Sequence, residues 1–167
     1  MKRICAIAMV CLAGSAAGAE PASKLTKPEI AAKAWLTKMT TGKAGVAVTK
    51  DKPLMVWVSA NADSDACMKL GTYAVLTRPD EIKTLKQCLQ DELKGATIPD
   101  KELRHGIIDV AISSVAKAHQ KAMKDAAKGS QIVEATYGKG EPSSTIYFAV
   151  TTDGAIPVVW VDSNEVE

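Results

Sequence analysis

Apolar residues recur at helical spacing in three stretches of the chain. In the first, Ala31, Trp35 and Met39 fall at i, i+4 and i+8, and in the second Ile82, Leu85, Leu89 and Leu93 share one face. In the third, Leu103, Ile107, Ile108, Val110, Ile112, Val115, Ala118, Ala122 and Met123 cover more than half of a helical wheel, the pattern of a central helix packed on several sides. The same four-residue signal precedes each: Thr26-Lys27-Pro28-Glu29, Thr77-Arg78-Pro79-Asp80 and Thr97-Ile98-Pro99-Asp100. It reads as a capping box, with threonine accepting from the N3 amide, the N3 acid reaching back, and proline where no N–H is needed. Gly42, Gly95 and Gly129 stand where a left-handed residue would end each helix, and Lys94 and Lys128 precede two of them at the negative end of the dipole. The spacing predicts helices over 28–41, 79–94 and 99–128, the last two being close neighbours across Gly95 and Ala96.

Period-two segments flank this block. Val46 to Lys50 and Leu54 to Ala60 surround a Lys50-Asp51-Lys52-Pro53 turn. Gln131 to Tyr137, Thr145 to Thr151 and Ala155 to Val161 are separated by a loop over Gly138 to Pro142 and an Asp153-Gly154 turn. Pro157 cannot donate to a ladder, so the last of these is expected at an edge or with a bulge near its start. Ser64 to Leu76 carries both signals: Asp63, Ser64 and Asp65 resemble a helix start, while Thr72, Tyr73 and Val75 favour a strand.

Composition changes the picture at the N-terminus. Residues 1–19 have a secretory layout: Lys2 and Arg3, an apolar stretch from Ile4 to Ala13, then small residues ending Ala17-Gly18-Ala19, after which cleavage fits. A lipoprotein anchor at Cys11 is disfavoured by bulky Val10 before it. Removal of this segment leaves nineteen basic and nineteen acidic side chains, so no charge excess points to nucleic acid or to an anionic membrane. It also removes Cys5 and Cys11, leaving Cys67 and Cys88 in an oxidising compartment, where one disulfide is the expectation. Their spacing is too wide for a Cys-x-x-Cys redox pair. A helix through 64–76 folded back about Thr77 would bring the two cysteines together, whereas a continuous strand would carry Cys67 roughly 30 Å away, so a helix is expected there.

Catalytic patterns fail at essential positions. His105 and His119, fourteen residues apart on a continuous helix, would be separated by about 21 Å, too far to share a metal; His105 with Asp109, or His119 with Met123, remain as isolated pairs. Asn61, Asp63 and Asp65 match the opening of a calcium loop, but Ala66 replaces its glycine and Thr72 its closing glutamate. Ser114-Val115-Ala116-Lys117 matches Ser-x-x-Lys, and Ser59-Ala60-Asn61 could stand for a second motif, yet Ser114 would lie deep in a helix and no Lys-Thr-Gly strand follows. Lys117, Lys121, Lys124 and Lys128 form a stripe that reads as the solvated face of the long helix. Tyr147 and Trp160 are expected to pair across the final hairpin as core residues.

The order α-ββ-αα(α)-βββ predicts an α+β domain over residues 20–167. Its sheet is expected to be mainly antiparallel, with about five strands covered by helices inserted mid-chain. The order resembles that of PAS-like and profilin-like domains, a likeness of arrangement alone that implies no site. No catalytic, cofactor or metal residue is assigned; the only paired residues are Cys67 and Cys88. The leading functional reading is a periplasmic or secreted non-enzymatic module that binds a protein of the envelope. The alternative is a carrier or sensor with a small-ligand pocket between the sheet and the long helix, and the third is a hydrolase with dispersed catalytic residues.

Overall fold

The computed structural model describes residues 24–42, 45–138 and 143–164, so residues 1–19, expected to be a secretory segment, lie outside the described residues with Cys5 and Cys11. In chain order the elements are α1 (Lys27–Thr41), β1 (Leu54–Val58), α2 (Asp65–Leu70), β2 (Tyr73–Leu76) and α3 (Pro79–Leu93). A 3₁₀ turn (Asp100–Glu102), β3 (Leu103–His105), α4 (Ile108–Ala111), α5 (Lys117–Ala126), β4 (Gln131–Tyr137), β5 (Ser144–Val150) and β6 (Val158–Asp162) complete it. The strands form one six-stranded sheet in the order β2-β1-β6-β5-β4-β3. The fold is α+β, as expected, but the sheet is mixed: β1 and β6 run parallel, and the other four pairings are antiparallel.

The strands alternate between two cores. Ile146, Phe148 and Val150 of β5 face α1, α2 and α3, together with Val56, Val133 and Val159. Tyr147 and Ala149 face the other way, onto α4, α5 and the turn between them, where Ile112, Val115 and Met123 pack against Trp57 and Trp160. The register aligns one row of side chains on this second face across all six strands: Arg104, Glu134, Tyr147, Trp160, Trp57 and Tyr73. Tyr147 and Trp160 are the expected core pair, 8% and 0% exposed.

Local chemistry explains the elements that match expectation. The Thr26 amide donates to Glu29 Oε2 at 2.7 Å, closing one half of the capping box at α1. Trp35 on the inner face of α1 meets Phe148 edge to face, with ring centroids 5.6 Å apart, and Met39 is fully enclosed. At α3 the box is shifted by one residue. Pro79 takes the first helical position, Arg78 is the N-cap, and Glu81, not Asp80, accepts from the Thr77 and Arg78 amides at 2.8 and 3.0 Å. These bonds hold the Glu81 carboxyl below its ordinary range. Gly42 ends α1 with φ −71°, not in the left-handed region, while Gly95 and Gly129 do adopt positive φ.

The predicted helix over 99–128 does not form. The third capping signal opens only a 3₁₀ turn, after which Leu103–His105 pairs with β4. The apolar residues that read as one wide stripe serve opposite faces of the sheet: Leu103 enters the core under α1 and α3, whereas Ile112, Val115 and Met123 enter the other. One straight helix cannot reach both. The breakers were present as Gly106 and Ser113-Ser114, and pairing with β4 supplies the backbone bonds that a helix would have made.

Three further expectations are corrected. Residues 46–50 are irregular, because β1 already has β2 and β6 as neighbours; the turn at Lys50–Pro53 does form, with Lys52 N–H donating to Thr49 Oγ1 at 3.0 Å. The last strand is interior, and starts at Val158 so that Pro157 lies outside the ladder and contributes only its carbonyl, accepting from Met55 N–H at 2.9 Å. Residues 64–76 resolve into both candidates, with α2 capped by Ser64 Oγ accepting from the Cys67 amide, then Gly71 at φ 73°, then β2. Among the described residues no helix is long and apolar enough to cross a membrane.

Candidate ligand-binding cavity

Lys33, Thr37 and Thr40 fall at i, i+4 and i+7 of α1, and Gln90 and Leu93 at i and i+3 of α3, so each set projects from one face of its helix. These faces enclose a cavity of about 610 Å³ that is closed on its third side by Gly95 to Leu103. That third wall exists because α3 stops in two successive left-handed residues, Lys94 at φ 48° and Gly95 at φ 73°. The Lys94 amide caps the Gln90 carbonyl at 2.9 Å and the Ala96 amide caps that of Leu93 at 2.8 Å. The chain is extended at Pro99, with φ −64° and ψ 152°, before the 3₁₀ turn delivers it to β3.

Leu36, Leu93 and Leu103, each at most 7% exposed, are the most deeply buried lining residues, with partly buried Ile98 beside them. The polar groups are largely committed. Thr40 and Thr41 donate their hydroxyls to the Leu36 and Thr37 carbonyls of their own helix, at 2.9 and 2.6 Å. Gln90 Nε2 donates to the Thr40 carbonyl at 2.7 Å, and Lys86 Nζ donates to that of Gly42, so α3 side chains cap the end of α1. Gln90 Oε1 has no partner among the described residues. Among the described lining residues the two charged ones, Lys33 and Asp100, form an ion pair with one another, half exposed on both sides, so the described lining is neutral overall.

The residues singled out in the sequence lie elsewhere. Cys67 and Cys88 are bridged, with Cα atoms 4.6 Å apart, and tie α2 to α3. Glu92, one turn beyond Cys88, accepts from Ser163 Oγ and lies 3.7 Å from Cys67 Sγ, a contact only, since a bridged sulfur carries no proton. Beside them the Tyr137 hydroxyl is pushed up to about 12, chiefly by burial, with the Ser163 hydroxyl opposing and the Glu92 charge reinforcing the rise. On the other face, burial also raises Asp162, and raises Tyr147 together with the nearby Glu134 and Asp162 charges.

His105 sits exposed on edge strand β3. His119 stacks on Tyr73 of the opposite edge strand, with ring centroids 4.0 Å apart. The sheet therefore separates the two imidazoles, whereas the sequence reading relied on a continuous helix. Asp109 pairs with Lys124 at 3.1 Å and not with His105, and Met123 is fully enclosed. Asn61, Asp63 and Asp65 lead into the N-terminus of α2. Ser114 lies in an exposed turn and Lys117 opens α5, so the two do not share a helix. In the lysine stripe, Lys121 pairs with Asp125 at 2.6 Å.

The cavity was not legible in the sequence, because its third wall was read as a helix start at Thr97. The signal that could have revealed it is Gly95-Ala96-Thr97-Ile98-Pro99 taken as an extended connection. Compared with known protein families, curated proteins and solved structures, the chain matches none.

Proposed function

We propose that this protein is an exported, disulfide-bonded binding protein that holds a small, uncharged, mainly apolar molecule between α1, the end of α3 and residues 95–103. The observation that carries this is the cavity itself: about 610 Å³, within the size range of small-molecule sites, with an apolar lining and few polar groups. It replaces the pocket anticipated between the sheet and a long helix, since that helix does not exist. The neutral lining disfavours a charged occupant, which would lose its hydration without gaining a counter-charge. Gln90 Oε1 is an acceptor for one ligand N–H or O–H. Export is supported by the layout of residues 1–19 and by a disulfide suited to an oxidising compartment. Exposed apolar side chains, which would favour a protein partner, are spread over α1, α2, β2 and the α4 region as Ile30, Met68, Val75, Ile107 and Val110.

The test is a thermal-shift screen of purified protein with uncharged cyclic alcohols and indoles, beside the Thr37→Trp variant, whose indole would fill the cavity. A ligand at a hundred times its Kd contributes about 2.7 kcal/mol, which raises Tm by roughly 5–10 °C for a domain of this size. The variant is expected to keep its circular dichroism and to lose the shift. Equal shifts in both proteins, or none with any probe, would overturn the proposal.

A further inference from the structure

The far side of β3 carries a second recess, of about 470 Å³, whose chemistry differs from that of the cavity. Ile107, Ile108 and Ile132 supply apolar surface, with Ile107 59% exposed to solvent. Lys124 and Lys128 supply the charge, and no carboxylate is among the described lining residues. Two acids lie close by: Asp109 pairs with Lys124 at 3.1 Å, and Glu134, whose Cβ lies 3.6 Å from the Cβ position of Gly106, pairs with Arg104 at 3.4 Å. Both side chains of the Lys124 and Asp109 pair are largely solvated, at 47% and 76% exposure, so it exchanges readily with other ions. Lys128 has no ion-pair partner among the described residues. Ser130 also lines the recess, and its enclosed hydroxyl meets no hydrogen-bond partner among the described residues.

We propose that this recess binds a small amphiphilic anion, a medium-chain alkyl carboxylate, with its chain on the three isoleucines and its head between Lys124 and Lys128. The sign of the charge decides the class. The C-terminal end of α5 contributes only about half a negative charge, against a full positive charge on each lysine. The lysines' other role, solvated charges that complement the helix dipole, would leave the recess indifferent to the sign of a ligand, and this is what the experiment separates. The site does not depend on the cavity under α1, because the two share no lining residue and draw on opposite cores, Ala127 and Ile132 on this face and Leu36, Leu93 and Leu103 on the other.

Octanoate, octanol and octylammonium would be titrated into isotopically labelled protein and followed by the backbone amide resonances of Gly106, Ser130 and Gln131. Octanoate is expected to shift these three saturably, at least about fivefold more tightly than octanol, the effect of one unit charge about 4 Å away in water. Octylammonium should bind more weakly than either. Lys128→Gln, an exposed substitution that leaves the fold intact, should weaken octanoate by about the same factor, whereas Lys117→Gln at the other end of α5 should not. Equal affinity for octanol or octylammonium, an unchanged affinity in Lys128→Gln, or no movement of these amides would each overturn the proposal. Thr37→Trp should leave the octanoate titration unchanged, so failure at one site is distinguishable from failure at the other.

Discussion

Reducing the Cys67–Cys88 bridge removes one covalent link and leaves every side-chain volume in place. The residues are 21 apart in sequence, and in the chain-entropy model a closed loop of about 22 residues contributes on the order of 3 kcal/mol by restricting the unfolded chain. The folded state limits how much of this is seen globally. α2 has six residues and buries only Ala66 and Cys67, so once the bridge is cut it can lift from α3 without unfolding the sheet. Urea denaturation with and without reductant should therefore show a loss of up to about 3 kcal/mol. Amide exchange should accelerate first at Met68 to Leu70, ahead of β1 and β6. Cys67→Ala with Cys88→Ala should lose somewhat more, because both sulfurs lie in positions no more than 2% exposed and truncation leaves a void. A reduced protein with unchanged denaturation midpoint and unchanged exchange in α2 would refute the reasoning, since α2 would then be held by packing alone.

Gly106→Ala should cost about 1–3 kcal/mol in the same urea assay, because an added Cβ would lie 2.9 Å from Ile132 Cγ2 and 3.4 Å from the Glu134 amide, and a variant as stable as wild type would show that β3 can shift away from β4. Tyr137, held near 12 against about 10 when unfolded, keeps its proton in the folded state after the unfolded chain has lost it; stability from this group is present below pH 10 and falls between pH 10 and 12. Phenolate absorbance and Tm across that range should show a component that Tyr137→Phe abolishes, and a tyrosine titration complete by pH 11 would contradict it. His119→Ala removes the stack on Tyr73 and should lower stability by about 0.5–1.5 kcal/mol; a double-mutant cycle with Tyr73→Ala that returns no coupling would show that the two rings merely lie alongside.

Local chemistry decided much of this protein before any packing. The box at Thr26 and Glu29, the prolines in the first turns and the apolar faces of α1 and α3 are short-range features, and those two helices stand where their residues place them. The strands over 131–137, 144–150 and 158–162 follow from alternation, and the bridge follows from two cysteines that a helical segment could bring together. The tertiary structure decided what those signals leave degenerate. A stripe of apolar residues from 103 to 123 satisfies a helical period equally well whether one element buries it or three do. Only the sheet, which exposes an apolar face on each side, distributes Leu103 to one core and Met123 to the other. The same event created the candidate site: with residues 99–103 outside the expected helix, the stretch 95–103 runs past α1 and closes a cavity whose walls come from three separate stretches of chain. Lys33, Gln90 and Ile98 carry no mutual signal in sequence, because their proximity depends on where α3 ends and on which edge of the sheet the chain next joins.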